Sequence, residues 1–253
     1  MSGEVRREAS VPALHRAAAE LFVSAAEAAV RDRGAFSVAL AGGNTPRGLY
    51  ALLAGDASLR ARVPWERVRI FFGDERHVPP DHPDSNFRMA QETLLAQVPI
   101  AADHVWRMKA EYEDAERTAA EYERDIRAAF ALPPGARPKF DLVLLGLGPD
   151  GHTASLFPGT AALHERSRLV VANRVEKLDT DRVTLTAPVL NDAREVLFLV
   201  AGADKAPALK AVLEGPDEPE RFPAQLIRPA DGVLRWLVDP AAAAALTVTG
   251  SAP

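Results

Sequence analysis

Short apolar runs alternate along the chain with amphipathic stretches and glycine-marked polar turns. Four continuous runs have the length and composition of buried parallel strands. They lie at residues 36–41, 68–72, 142–147 and 195–201. Apolar residues recur at helical spacing over residues 11–30, 85–95 and 115–130. This alternation predicts an α/β fold with a mostly parallel central sheet and helices on both of its faces.

Two Pro- and Gly-rich loops, at residues 133–138 and 214–220, do not separate regions of different composition. We therefore predict one domain over residues 1–253, with a short terminal helix at residues 241–245. Right-handed crossovers bring the carboxyl ends of parallel strands to one edge of a sheet. The polar turns after the four strands are therefore expected to meet at a common crevice.

The turn after the first strand contains Gly42, Gly43, Asn44 and Thr45. Glycines let backbone amides approach a ligand, and a helix that starts there favours an anion, so these four residues are candidates for a phosphate site. Thr45 is expected to cap a helix that begins at Pro46. The spacing matches neither a P-loop nor a dinucleotide fingerprint, so an ordinary strand-to-helix turn is an open alternative.

The turn after the second strand places Asp74, Glu75, Arg76 and His77 side by side. Two carboxylates, a guanidinium and an imidazole next to an apolar strand favour a catalytic or ligand-binding role. A surface cluster of ion pairs fits the same residues.

Four further residues are candidates for contacts around the crevice. Ser85 is expected to cap the next helix, which leaves Asn86 and Arg88 near its start. Lys205 follows the fourth strand and opens a helix. Arg182 precedes an apolar run and is suited to bidentate phosphate binding, although a solvated position fits it equally.

The turn after the third strand carries Asp150 and His152 between Gly148 and Gly151. A neutral imidazole with an ordinary pKa of about 6.5 can accept a proton near neutral pH. His152 is therefore a candidate general base, with a plain loop histidine as the alternative.

Composition narrows the classes of function. The 253 residues carry a net charge of −5, which argues against a nucleic-acid partner. The chain has no cysteine, so it needs no oxidising compartment, and the cytoplasm is the expected location. The N-terminal residues lack the apolar core of a signal peptide, and no apolar run is long enough to span a membrane, so no membrane partner is expected.

Six segments, in the same order along the chain, carry a resemblance to a known family. They are residues 41–47, 73–79, 84–90, 148–159, 182–186 and 200–206. Together they resemble the glucosamine-6-phosphate isomerase/6-phosphogluconolactonase family, from about the first helix onward. The resemblance implies a Rossmann-like fold of the sugar-phosphate isomerase/deaminase type. It also implies hydrolysis of 6-phospho-D-glucono-1,5-lactone to 6-phosphogluconate in the oxidative pentose phosphate pathway, without a cofactor or metal.

Residue roles follow from the same resemblance. His152 becomes the catalytic base with Asp150 beside it, and the turn at residues 42–45 becomes a phosphate cradle. The cations expected to contact phosphate or lactone are Arg76, Arg88, Arg182 and Lys205, and Arg76, Lys205 and amides of residues 148–151 are candidate oxyanion donors. The partner is a phosphorylated sugar lactone, and a monomer is the default.

Two other functions are kept as alternatives. A glucosamine-6-phosphate deaminase/isomerase would share the fold, but such relatives have Asp-Glu-Tyr where this chain has Asp74-Glu75-Arg76. A non-catalytic sugar-phosphate-binding protein would bind without turnover. Within the lactonase interpretation, a covalent route through Ser155 is open, although no Gly-x-Ser-x-Gly elbow surrounds it, and direct attack by water is favoured.

Overall fold

A computed structural model describes residues 3–247 of the chain. Its strands are β1 (Glu4–Arg7), β2 (Phe36–Leu40), β3 (Val68–Phe72), β4 (Asp74–Arg76), β5 (Leu142–Leu145), β6 (Val170–Val175), β7 (Thr180–Leu185), β8 (Glu195–Val200) and β9 (Val233–Val238). Its α-helices are α1 (Val11–Arg33), α2 (Asn44–Gly55), α3 (Ala57–Arg62), α4 (Asn86–Thr93), α5 (Ala115–Ala129), α6 (Ala187–Asn191) and α7 (Ala206–Glu214). Among these helices, none combines the length and the apolar character needed to cross a bilayer.

A six-stranded sheet forms the centre of the molecule, in the order β1-β9-β8-β5-β2-β3. Every neighbouring pair in it is parallel. The predicted α/β fold with a mostly parallel sheet is therefore confirmed, and the four predicted strands are β2, β3, β5 and β8. The sequence pattern did not predict the edge strand β1 or its neighbour β9, whose pairing brings residues 4–7 next to residues 235–238.

Side chains of the central strands alternate between two apolar cores, one on each face of the sheet. In β5, Leu142 and Leu144 enter the core shared with α1 to α4, whereas Val143 and Leu145 enter the core shared with α5 to α7. All four residues are buried, because helices cover both faces, and this explains why the strand is a continuous apolar run.

A second, antiparallel sheet lies beside the carboxyl end of β3, in the order β4-β7-β6. The prediction of a turn at residues 74–76 was wrong, because these residues form β4 and pair with β7. Gly73 joins the two sheets: its N–H donates to the carbonyl of Leu40 at 2.8 Å, and its carbonyl accepts from the N–H of Leu185 at 2.8 Å. The antiparallel partner lies more than a hundred positions away in the sequence, so a local pattern does not reveal it.

The predicted helix starts have mixed outcomes. Ser85 caps α4 as predicted, since its hydroxyl accepts from the N–H of Arg88 at 3.1 Å. The prediction for α2 was wrong: the helix begins at Asn44, and Gly43 is its N-cap with φ of 98°. That positive φ is accessible to glycine, and it starts the helix two residues before Pro46. The predicted terminal helix is a short 3-10 helix, Ala242–Ala245.

Two buried tyrosines hold the carboxyl ends of β2 and β3. The hydroxyl of Tyr50 accepts from the N–H of Ala41 at 3.0 Å and donates to the same residue's carbonyl at 2.8 Å. Tyr122 makes the equivalent pair with Phe72, at 2.7 and 3.1 Å. Burial raises the pKa of both phenols, so they stay neutral. Each hydroxyl thus satisfies a strand-end peptide group that would otherwise be buried without a partner.

We predict that Tyr50→Phe lowers the free energy of unfolding by about 1–3 kcal/mol, because the buried N–H and C=O of Ala41 lose their partner. Urea denaturation measures the change. Tyr112→Phe is the matched control, since Tyr112 bonds Glu121 near the surface and its loss should cost well below about 1 kcal/mol. Equal effects of the two substitutions would contradict the strand-end role.

Candidate functional site

A cleft of about 420 Å³ lies at the carboxyl ends of β2, β3, β5 and β8. The strand order places β5 on one side of β2 and β3 on the other, so the cleft sits where the topology changes direction, the usual position of a ligand site in an open α/β sheet. The predicted site residues that line it are Gly42, Gly43, Asn44, Thr45, Asp74, Arg76, Asn86, His152 and Lys205. The prediction that the four turns meet at one edge is therefore confirmed.

The His152 ring is held between a carboxylate and an aromatic ring. Its Nδ1 lies 2.5 Å from Oδ1 of Asp150, and its plane stacks on Phe157 with the ring centroids 4.1 Å apart. Asp150 Oδ1 also accepts from the backbone N–H of His152 at 3.2 Å. An ionised carboxylate can only accept, so the Nδ1 of a neutral imidazole carries the proton and Nε2 keeps its lone pair.

Burial lowers the pKa of His152 to about 4. The charge of Asp74 opposes this change, whereas the cations Lys205, Arg182 and Arg76 act in the same direction as burial. The imidazole is therefore neutral at physiological pH, which is the form required of a proton acceptor.

Asp74 connects three of the turns around the cleft. Its Oδ2 accepts from the hydroxyl of Ser155 at 2.7 Å, and its backbone carbonyl accepts from the amide of Asn86 at 2.9 Å. The Asn86 amide in turn lies against Gly42, where an added Cβ would come within 1.9 Å of Asn86 Oδ1. Ser155 is buried and its hydroxyl is engaged with Asp74, which disfavours the covalent route through this residue.

Three cations surround the imidazole. Arg76 and Arg182 are cross-strand neighbours in β4 and β7, and Lys205 lies just before α7. Arg76 donates to the carbonyl of Asp84 at 2.7 Å, and Lys205 pairs with Asp204 at 2.9 Å. The guanidinium of Arg182 makes no hydrogen bond or ion pair with residues 3–247, and burial next to Arg76 lowers its pKa. Two guanidiniums directly opposite each other on paired strands repel, and an anion bound between them would offset that repulsion.

The start of α2 leaves backbone amides available at the cleft. Helices α1, α3, α4 and α5 are capped by side-chain oxygens of Ser10, Asp56, Ser85 and Asp114. No described side chain caps α2 at Gly43, and α6 and α7 also start without a side-chain cap. The first N–H groups of a helix have no intrahelical acceptor, so those of Asn44 and Thr45 can bind an anion.

Glu75 lies outside the cleft and stabilises the start of α4. This buried carboxylate accepts four hydrogen bonds, from the N–H groups of Arg76, Asn86 and Phe87 and from the hydroxyl of Ser85. Burial raises its pKa, although the three amides favour the ionised form. Its hydrogen-bonding capacity is therefore used within the fold.

His77 and Arg88 are likewise not among the residues that line the cleft. His77 Nε2 donates to the carbonyl of Tyr112 at 2.7 Å. Arg88 pairs with Glu92 at 2.7 Å and donates to the carbonyl of Asp81 at 2.9 Å. Both side chains are thus engaged with neighbouring segments of the chain.

Two residues that contact Asp150 and His152 were not predicted from the sequence. Lys177, at the tip of the β6–β7 hairpin, pairs with Asp150, and Phe157 stacks on the imidazole. Phe157 belongs to the motif at residues 148–159, so its short distance from His152 in the sequence could have marked it as a candidate neighbour of the imidazole. Lys177 stands 27 positions after Asp150 in an unremarkable polar stretch, and the sequence held no signal for it.

These features define an α/β protein with a cation-lined cleft and a carboxylate-oriented histidine at the edge of its parallel sheet. The family model for glucosamine-6-phosphate isomerases/6-phosphogluconolactonase matches residues 9–236. The chain therefore belongs to this family, as its motifs predicted.

Individual relatives agree with the family assignment. A 6-phosphogluconolactonase of Synechocystis sp. is 46% identical over 211 residues, which cover 83% of this chain and 85% of that protein. The structure of 6-phosphogluconolactonase from Trypanosoma cruzi superposes with a TM-score of 0.85 at 31% identity, over 98% of each chain. A monomeric glucosamine-6-phosphate deaminase shares the fold, with a TM-score of 0.80 at 20% identity over 96% of this chain and all of that one.

We predict that His152 in the free protein titrates near pH 4. NMR of the imidazole nitrogens measures this, with the signals assigned by comparison with His152→Asn. Because the folded pKa lies below the unfolded value of about 6.5, the native state binds fewer protons, and stability declines as pH falls from about 6.5 towards 4. A midpoint near 6.5 would show that burial does not control this group.

We also predict that Gly148→Ala reduces turnover about 10²-fold while the protein stays folded, because the new Cβ would lie 2.0 Å from Nδ1 of His152 and displace the ring. Steady-state kinetics and circular dichroism measure the two effects. Gly55→Ala is the matched control: at the end of α2, its Cβ would have no described atom within 4 Å. Normal turnover in Gly148→Ala would mean that the ring position is not critical.

Proposed function

We propose that this protein hydrolyses 6-phospho-D-glucono-1,5-lactone to 6-phosphogluconate, with His152 as the general base. The observation that carries the proposal is the 2.5 Å contact between Asp150 and Nδ1 of His152. It directs the basic Nε2 away from Asp150, in a cleft lined by Arg76 and Lys205, with Arg182 next to Arg76 on the neighbouring strand. The relatives that bear the name 6-phosphogluconolactonase support the choice of substrate.

The reaction needs one water and one proton acceptor. The water attacks the lactone carbonyl while Nε2 of His152 removes its proton, and Asp150 stabilises the imidazolium that forms. When the tetrahedral intermediate collapses, the C1–O bond of the ring breaks and the ring oxygen takes that proton back from His152. The product acid then loses a proton to solvent and leaves as a carboxylate. General-base assistance of this kind is worth roughly 10²–10⁴-fold.

Arg76 and Lys205 are the donors best suited to the oxyanion. Both line the cleft with His152. The amides of residues 148–151 were also candidates, but Gly148 and Gly151 already donate within the turn, to the carbonyl of His152 at 2.8 Å and of Gly148 at 3.0 Å. Pro149 has no N–H, which leaves only that of Asp150. The side-chain cations are therefore the stronger choice for stabilising the developing charge.

The phosphate binds at the uncapped start of α2. The donors are the amides of Gly43, Asn44 and Thr45 and the unpaired guanidinium of Arg182. The side chain of Asn86 packs against Gly42 and holds this turn in place. Charge-assisted hydrogen bonds of this type are worth about 1.5–3 kcal/mol each. Arg88 contributes indirectly, by holding the segment around Asp81.

The proposal also covers the domain organisation, oligomeric state, location and cofactor use of the enzyme. The enzyme is a single domain over residues 1–253, acts as a monomer in the cytoplasm, and uses neither a cofactor nor a metal. Gel filtration of the purified protein measures the oligomeric state directly.

We predict that the purified protein accelerates acid release from freshly generated 6-phosphogluconolactone above its spontaneous rate. In His152→Asn, kcat should fall roughly 10²–10⁴-fold while binding of 6-phosphogluconate is retained. A pH-stat assay and isothermal titration measure the two quantities. Rates equal to background in the parent protein would reject lactonase activity, and glucosamine 6-phosphate would then be tested for deamination and for binding without turnover.

A further inference from the structure

We propose that Lys177 is a positioning residue for His152: its ammonium fixes the Asp150 carboxylate, which in turn fixes the ring and tautomer of the imidazole. The inference rests on the proposed function of His152 as the base, and it adds a residue from a separate part of the fold to that machinery.

Lys177 reaches the site from the tip of a hairpin with fully paired strands. Strands β6 and β7 pair along their length, from Val170 opposite Leu185 to Val175 opposite Thr180. A 3-10 turn, Glu176–Leu178, joins them and ends at Asp179, which has a left-handed φ of 48°. The position of the Lys177 backbone is therefore set by a paired sheet rather than by a long loop.

The two oxygens of Asp150 have different partners. Oδ1 accepts from Nδ1 and from the backbone N–H of His152, at 2.5 and 3.2 Å. Oδ2 contacts the ammonium of Lys177. Rotation of the carboxylate would break both sets of contacts at once, so Lys177 opposes the movement that would release His152.

Lys177 also contacts the other neighbour of the imidazole. Its Nζ lies 5.3 Å from the centroid of the Phe157 ring, and Phe157 stacks on His152. The side chains of Lys177, Asp150, His152 and Phe157 thus form a closed ring of contacts. Phe157 is only 5% exposed, so packing holds its ring in place, and the Lys177 ammonium and the His152 imidazole both contact that ring.

The charges around His152 make the removal of Lys177 measurable. They come from its own turn, from the hairpin and strands of the second sheet, and from the start of α7. They are Asp150, Lys177, Asp74, Arg76, Arg182 and Lys205. Without the ammonium, the charge of Asp150 acts on the imidazole alone, and we expect protonated His152 to become more stable. A residue with only a structural role would not produce this change.

The test compares Lys177→Met, which keeps the length of the side chain without its charge, with Lys177→Arg. Lys139→Met is the matched control, because Lys139 is exposed and pairs with no residue in the described part of the chain. We expect Lys177→Met to lower kcat about tenfold with little change in KM, well short of the roughly 10²–10⁴-fold loss without the base. Lys177→Arg should restore most of the activity.

NMR of the imidazole nitrogens gives a readout that does not depend on turnover. In the parent protein we expect the His152 proton on Nδ1. In Lys177→Met we expect a mixture of tautomers and a titration midpoint at higher pH. The NMR result stands even if the parent protein fails to hydrolyse the lactone, so failure of this inference and failure of the proposed function are distinguishable.

Two outcomes would overturn the inference. If kcat, tautomer and titration midpoint in Lys177→Met equal those of Lys139→Met, Lys177 is a surface charge without influence on His152. If KM rises while kcat and the tautomer stay unchanged, Lys177 contacts the substrate instead of positioning Asp150. Matching urea midpoints for the variants would confirm that each comparison is made between folded proteins.

Discussion

The carboxylate of Asp74 and the peptide group beside it hold together the turns that form the cleft. Ser155 donates to the side chain and Asn86 to the backbone carbonyl, while Asn86 packs against Gly42. These contacts link the segments after β2, β3 and β5, which are distant in the sequence. A buried carboxylate costs free energy unless it is hydrogen-bonded or near opposite charge, and here both conditions hold. The cleft depends on this arrangement, because its walls come from separate turns.

Besides burial, Asp74 and the three cations around the cleft control the pKa of His152. Burial and the cations keep the imidazole neutral, with a pKa near 4, at the expense of basicity. The ideal general base has a pKa near the working pH, so the free protein alone is not optimal for proton transfer. A bound phosphate would neutralise part of the positive charge from Arg76, Arg182 and Lys205. Binding would then raise the basicity of the imidazole at the moment when it is needed.

Two kinds of support determine the shape of the site. Backbone groups at the strand ends are fixed by Tyr50 and Tyr122, which bond Ala41 and Phe72. The imidazole is fixed by side chains, through Asp150 and Phe157, and Lys177 reaches this group from the second sheet. The antiparallel sheet therefore supplies three cations to one edge of the parallel sheet: Arg76 from β4, Arg182 from β7 and Lys177 from the hairpin tip.

The sequence by itself determined the four buried strands, the positions of the main helices and the meeting of the four turns at one edge. These features follow from local periodicity and from the handedness of parallel crossovers, so a single chain carries them. It also indicated the family through its motifs. It did not determine β1 or β9, the conversion of residues 74–76 into a strand, or the use of Glu75 to stabilise α4. Only the tertiary structure decided these, and the approach of Lys177 to Asp150, because each depends on a partner brought close by the fold rather than by the sequence.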